Sequence, residues 1–311
     1  MFFLNTLIGY GGQKEAPAAD SNADTFAMID SPVQLNEAMP CELSTPTLSD
    51  LTLGESKPCE PRFKRYGWRP DTPDFRDHYY MSAMVNSAKS VDLRPAMPPV
   101  YDQGRCGSCT ANAIAAALEY DEKKQALADA TTPSRLFIYY NERALEGTTD
   151  TDSGAAIRDG IKTVANQGFC TEVEWPYDIT KFTDKPPQSC YDAALKHKAI
   201  VYKRVTQSLY QLMDVLSSGY PIVCGISVYD SFEADDTVRT GNVPMPDKNE
   251  RLLGGHAILL CGYNNAKRLF IFRNSWGTSF GDAGYGTIPF KYILSPDLCQ
   301  DFWNIRSVSA V

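Results

Sequence analysis

The chain has 311 residues, 43% apolar and 22% charged, the balance of a soluble globular protein able to bury a sizeable core. No apolar run approaches the roughly 20 residues of a membrane helix, and a net charge of -8 with no cluster of basic and aromatic residues argues against a nucleic-acid partner. The acidity is unevenly placed, because residues 1–60 hold two basic residues, Lys14 and Lys57, against nine acidic ones.

Residues 1–12 open with a few apolar side chains but lack the basic flank of a secretory signal. Residues 13–60 are rich in Ala, Ser, Pro and acidic residues without a sustained period, and read as an extended or partly disordered segment with a regulatory or tethering role. A basic cluster, Arg62-Phe63-Lys64-Arg65, follows and has the look of a protease-processing site.

From Cys109 to Ala128 there is neither Pro nor Gly, and Ala113, Ile114, Ala117, Leu118 and Tyr120 make a broad apolar face, which predicts a largely buried helix. Further helices are expected over 133–145 and 155–166, the second closing at Gly168. The second half changes character. Strand-like runs at 200–205, 221–229, 256–263, 268–274 and 285–289, separated by Gly- and Asn-containing turns, predict an antiparallel sheet or barrel. The fold class expected is therefore α+β, one helical lobe and one β-rich lobe.

The stretch Gln103-Gly104-Arg105-Cys106-Gly107-Ser108-Cys109-Thr110 places a thiol at the first turn of the predicted helix. There, unpaired N–H groups and the helix dipole favour the thiolate, the form that attacks a carbonyl carbon. A nucleophile also needs a base, a group to orient that base, and donors for the oxyanion. Among three histidines, His256 starts an apolar strand after Gly254-Gly255, where the glycines leave room for a close backbone approach. The next strand ends in Asn274-Ser275-Trp276-Gly277, so that Asn274 can accept from an imidazole N–H while Trp276 screens the bond from water. Singly, each has a plainer reading as a structural histidine, a turn former and a core indole; with Cys109 they form a set.

This set resembles the papain family of cysteine peptidases, in a cathepsin-like form, with Cys, His and Asn in the family's order. The resemblance covers about residues 91–302. It implies nucleophile, acid/base and orienting roles for Cys109, His256 and Asn274, an oxyanion-hole role for Gln103, and a supporting role for Trp276. It also implies a papain-like two-lobe fold with the helical lobe over about 91–195, the β-rich lobe over about 196–311, and the cleft between them binding polypeptide substrates without metal or organic cofactor. Gly154 and Gly255 are the expected substrate-binding positions. On this reading residues 1–65 are a pro-segment acting as an intramolecular inhibitor, and 66–90 a linker or the start of the mature region.

Two departures stand out. Thr110 follows the nucleophile where the commonest family form has Trp, a variant that resembles a microbial and large-virus branch. The family's Cys-Asn-Gly-Gly loop is replaced by Thr149-Asp150-Thr151-Asp152-Ser153-Gly154, which leaves Cys106 without its usual partner. Nine cysteines is an odd count, so at least one thiol is free or bridged to another molecule. Cys170 with Cys190 and Cys41 with Cys59 are the pairs available for disulfide bonds, whereas Cys224 and Cys261 lie in apolar runs and read as packing residues.

Three rivals are weighed. Cys106-x-x-Cys109 fits a thiol-disulfide oxidoreductase, but no strand precedes the helix as a redox fold would require. Gly277-Thr278-Ser279-Phe280-Gly281 matches a serine-hydrolase pattern, but a turn follows it instead of a helix. A catalytically silent papain-fold binding protein would have lost Gln103, Cys109 or His256, and all are present.

Overall fold

The computed structural model describes residues 66–82, 88–127 and 130–310; the basic cluster, Cys41 and Cys59 lie outside them. In chain order the elements are β1 (Trp68–Arg69), β2 (Ser90–Asp92), α1 (Cys109–Lys124), α2 (Arg135–Glu146), β3 (Ala155–Ala156), α3 (Ile157–Asn166), α4 (Gln188–Ala194) and β4 (His197–Arg204). They continue with α5 (Leu209–Ser217), β5 (Ile222–Tyr229), α6 (Asp235–Thr240), β6 (Leu252–Asn264), β7 (Leu269–Arg273), β8 (Tyr285–Pro289), α7 (Phe290–Ile293) and β9 (Cys299–Ala310).

The helical lobe is built on α1, buried on almost every side from Cys109 to Glu122. It stops at Lys124, four residues short of the stretch free of Pro and Gly, because Ala126 turns to φ +53° and breaks the helical path. Helix α2 begins where Ser134 accepts the Phe137 N–H at 3.1 Å and ends where Gly147 takes φ +71°. Helix α3 starts at Ile157, two residues later than its sequence pattern, because Ala155–Ala156 is drawn into a parallel pairing with β1. Gly160 lies inside α3 because Ile114 of α1 and Glu142 of α2 leave no room there for a side chain.

The β-rich lobe is a seven-stranded sheet ordered β4-β9-β5-β6-β7-β8, with β2 also pairing β6; every pairing in it is antiparallel. The described strands leave it open, so the barrel that the pattern allowed does not close. Strand β9 escapes sequence patterning because bulges shift its register against both β4 and β5 and spoil the alternation. Ile222, Ile226, Ile258, Phe270 and Phe272 form the core of this lobe, and Ile114, Leu118, Leu136, Ile161 and Val164 that of the helical one. Truncating any of these to Ala costs roughly 2–5 kcal/mol.

Every cysteine among the described residues is a buried free thiol, Cys170 and Cys190 included, so the pairing available to those two is not a disulfide bond here. They lie in one small cluster with Phe137 and Ala194.

Candidate active site

Cys109 is the first residue of α1, so its sulfur lies at the N-terminal end of the helix dipole. His256 sits on β6 opposite Ile226 of β5. Strand β7 pairs Arg273 with Leu259, and carrying that register one step further places Asn274 opposite Ile258, on the same face as His256. His256 Nε2 is accordingly 2.8 Å from Asn274 Oδ1. The same oxygen accepts the Ser275 N–H at 2.8 Å, which fixes it as the acceptor and makes Nε2 the protonated nitrogen of the ring. Trp276 covers the pair with its ring centroid 5.1 Å from that of His256, and Phe232 closes edge-on over both.

Gln103 lies six residues before the thiol and is wholly buried. Its Nε2 donates to the Cys106 carbonyl at 2.9 Å and its Oε1 accepts the Ser275 hydroxyl at 2.6 Å. The residue beside the Asn274 orienting bond is therefore also joined to the Gln103 amide, which ties the two lobes together at the thiol.

Asp152 accepts the Gly107 N–H at 2.9 Å and the Tyr139 hydroxyl, with an oxygen 3.7 Å from the Cys106 sulfur. Hydrogen bonds to this carboxylate hold the turn before α1. Burial first, and Asp152 next, push the Cys106 thiol up to about 12.

Burial likewise pushes the Cys109 thiol up to about 12, against backbone N–H groups of Ala257, Gly67 and Thr110 that favour the thiolate. The cover that removes this sulfur from water comes from the chain itself. Residues 66–69 run through the cleft, and a side chain at Gly67 would collide with the Gly107 carbonyl. Gly67 O accepts the Ala155 N–H at 2.7 Å. The Tyr66 ring meets His256 and Trp276, each at 6.4 Å, while its hydroxyl donates to Glu233. The expected substrate-binding glycines both face this segment: a side chain at Gly154 would strike the Gly67 carbonyl, and one at Gly255 the Trp68 backbone.

Residues 70–82, read above as a linker or mature start, are pinned beyond the cleft. Asp77 pairs with Arg158 at 2.5 Å, Asp71 with Arg204 at 2.9 Å, and the Tyr80 hydroxyl donates to Asp214 at 2.8 Å. Tyr66, Trp68, Asp152, Phe232 and Ser275 escaped the sequence reading. The one available signal was a glycine set between two aromatics, Tyr66-Gly67-Trp68, directly after the basic cluster.

Among the described residues no group of three or more His, Cys, Asp or Glu side chains could hold a metal ion, and no helix is long and apolar enough to cross a membrane.

A helical lobe presenting a thiol at a helix start and a sheet lobe presenting a histidine oriented by an asparagine together define a two-lobed cysteine peptidase. The sequence comparisons agree. The model of the papain family of cysteine proteases matches residues 87–293, and the chain belongs to that family. It is 44% identical over 229 residues to an uncharacterized peptidase C1-like protein of Acanthamoeba polyphaga mimivirus, covering 71% of this chain and 73% of that one. The crystal structure of xylellain, a cysteine protease from Xylella fastidiosa, superposes with a TM-score of 0.74 at 42% identity, covering 80% of this chain and 98% of that one. A procathepsin B from Trypanosoma congolense shares the fold, with a TM-score of 0.65 at 15% identity over 80% and 87% of the two chains.

Proposed function

We propose that this cysteine protease is an endopeptidase made in a self-blocked form, with Cys109 as nucleophile, His256 as acid and base, Asn274 orienting His256, and Gln103 with the Cys109 N–H receiving the oxyanion. In this scheme His256 Nδ1 takes the thiol proton, the thiolate attacks the scissile carbonyl carbon, and the imidazolium protonates the leaving amine. Water deprotonated by His256 then releases the acyl group from sulfur. Trp276 keeps water from the bond between His256 and Asn274.

The observation that carries the reading is the course of residues 66–69, an internal stretch of polypeptide lying directly over the thiol. A cleft that holds a chain continuing in both directions suits internal peptide bonds. The same stretch resists cleavage because Gly67 turns its N–H toward the sulfur and commits its carbonyl to Ala155, so that residue offers Cys109 no carbonyl carbon. The inhibitory stretch accordingly extends past residue 65.

The test uses the full chain carrying Gly67→Val, in which the new side chain collides with Gly107 and expels the segment. Against a mixed fluorogenic peptide library under reducing conditions, cleavage well above that of the unaltered chain, and absent when Cys109→Ala is added, is the expected result. Equal activity with and without the Gly67→Val substitution would remove the blocking role, and release of only terminal residues would remove the endopeptidase reading.

A further inference from the structure

Gln103 is buried at the cleft, and two residues outside the catalytic set hold its backbone. The Asp102 carbonyl, on the peptide before it, accepts from Arg135 Nη1 at 3.2 Å, and the Gln103 carbonyl accepts the Tyr177 hydroxyl at 2.9 Å. The two donors stack, with the guanidinium carbon 3.9 Å from the Tyr177 ring centroid and 4.6 Å from that of Tyr101. Arg135 Nη1 also donates to Asn112 Oδ1 at 3.1 Å, and Asn112 Nδ2 donates to the Ser108 hydroxyl at 3.0 Å. That hydroxyl meets the Tyr177 oxygen, whose own proton is committed to Gln103, so Ser108 supplies the proton between them. A closed ring of contacts therefore joins Ser108, the residue before the thiol, to both peptides flanking Gln103. Arg135 is 8% exposed, and Glu172 neutralises its far edge by accepting from Nε at 2.5 Å and from Nη2 at 3.1 Å. A guanidinium this buried is costly to keep unless its fork is used.

Resting on the reading of Gln103 as an oxyanion donor, we infer that Arg135 and Tyr177 are positioning residues for the reaction, which fix the Gln103 backbone so that its side-chain amide and the Cys109 N–H converge on one oxyanion. The Gln103 N–H is itself tied to the Ser275 carbonyl at 2.9 Å. With both flanking carbonyls held as well, the side-chain torsions are what remain for the amide to turn from the Cys106 carbonyl to the substrate oxygen. A donor set in place before charge develops acts on the transition state. Misplacing it lowers kcat while leaving substrate binding alone. Lysine at 135 keeps the positive charge but lacks the planar fork, so it cannot hold Glu172, Asn112 and the Asp102 carbonyl together.

The test takes the full chain carrying Gly67→Val as parent and adds Arg135→Lys, Tyr177→Phe or Gln103→Ala singly, and each of the first two together with Gln103→Ala. Two readouts are compared. One is kcat and KM on a fluorogenic peptide; the other is alkylation of Cys109 by iodoacetamide at pH 7, in which the sulfur bonds to a saturated carbon as iodide leaves and no oxyanion forms. Arg135→Lys is expected to lower kcat about tenfold and Tyr177→Phe about threefold, each with KM and the alkylation rate within about twofold of the parent. Gln103→Ala alone is expected to lower kcat about 100-fold, and in its presence neither of the other substitutions is expected to lower kcat by more than about twofold further. Losses that multiply with that of Gln103→Ala, alkylation that slows in step with kcat, or an unchanged kcat in both single variants overturns the positioning role and leaves the protease standing. Tyr177→Phe, which deletes one hydroxyl, decides the question if Arg135→Lys does not fold. Full kcat in Gln103→Ala overturns the oxyanion role of Gln103 and the inference with it, and a parent without Cys109-dependent cleavage overturns the proposed function as well.

Discussion

His256 and Asn274, eighteen residues apart in sequence, meet at 2.8 Å through atoms Nε2 and Oδ1 because two antiparallel strands carry them to one face. The bond assigns the ring proton to Nε2 and leaves Nδ1 as the basic nitrogen. Asn274→Ala removes a buried hydrogen bond worth about 1–3 kcal/mol, so kcat/KM is expected to fall about 5- to 150-fold. An unchanged KM with a lowered kcat on a fluorogenic peptide checks that the loss is in orienting the base and not in substrate binding.

Cys109 in the unaltered chain is fully buried. Because burial holds it up to about 12, alkylation by iodoacetamide at pH 7 is expected to be slow and to rise about tenfold per pH unit as the thiolate fraction grows. Gly67→Val uncovers the sulfur, relieves the burial penalty and is expected to speed labelling at pH 7 by at least about tenfold. Mass spectrometry of the peptide containing Cys109 measures both rates; rapid labelling of the unaltered chain would contradict the covered geometry.

Asp121, buried in α1, has neither oxygen hydrogen-bonded among the described residues, and burial raises it from 3.8 to about 8. Its folded value lies above its unfolded one, so the stability it allows is full below about 3.8 and is lost as pH rises toward about 8. Asp121→Asn keeps the shape without the charge. Its Tm is expected to match that of the parent near pH 4 and to exceed it by several degrees near pH 8, read by thermal melts across that range.

Asp152 accepts hydrogen bonds from the Gly107 N–H and the Tyr139 hydroxyl. Asp152→Ala leaves those donors unsatisfied and is expected to cost about 1–3 kcal/mol of stability. It also lifts a negative charge from Cys106, so that thiol is expected to label faster in the variant. Denaturant melts and the labelling rate of Cys106 test the two consequences separately.

Local patterning alone located α1, α2, α3 and the strands β4 to β8, since each carries its own period or composition and its own stop signals. The placement of Cys109 at the start of α1 and of Asn274 just past the end of β7 was equally legible, whereas His256, expected to start its strand, lies inside β6 because that strand already begins at Leu252. Strand β9 was not legible, because a bulge is a mismatch between two strands and leaves no period in either one.

What the sequence by itself determined was the chemistry on offer, a thiol at a helix start and a histidine followed one strand later by an asparagine. Only the tertiary structure decided that Tyr66, Gly67 and Trp68 lie across that thiol and that the Trp68 indole donates to Asp301. A contact across 233 residues is set by how two lobes close on a segment, and nothing in the local sequence of either partner encodes the distance between them.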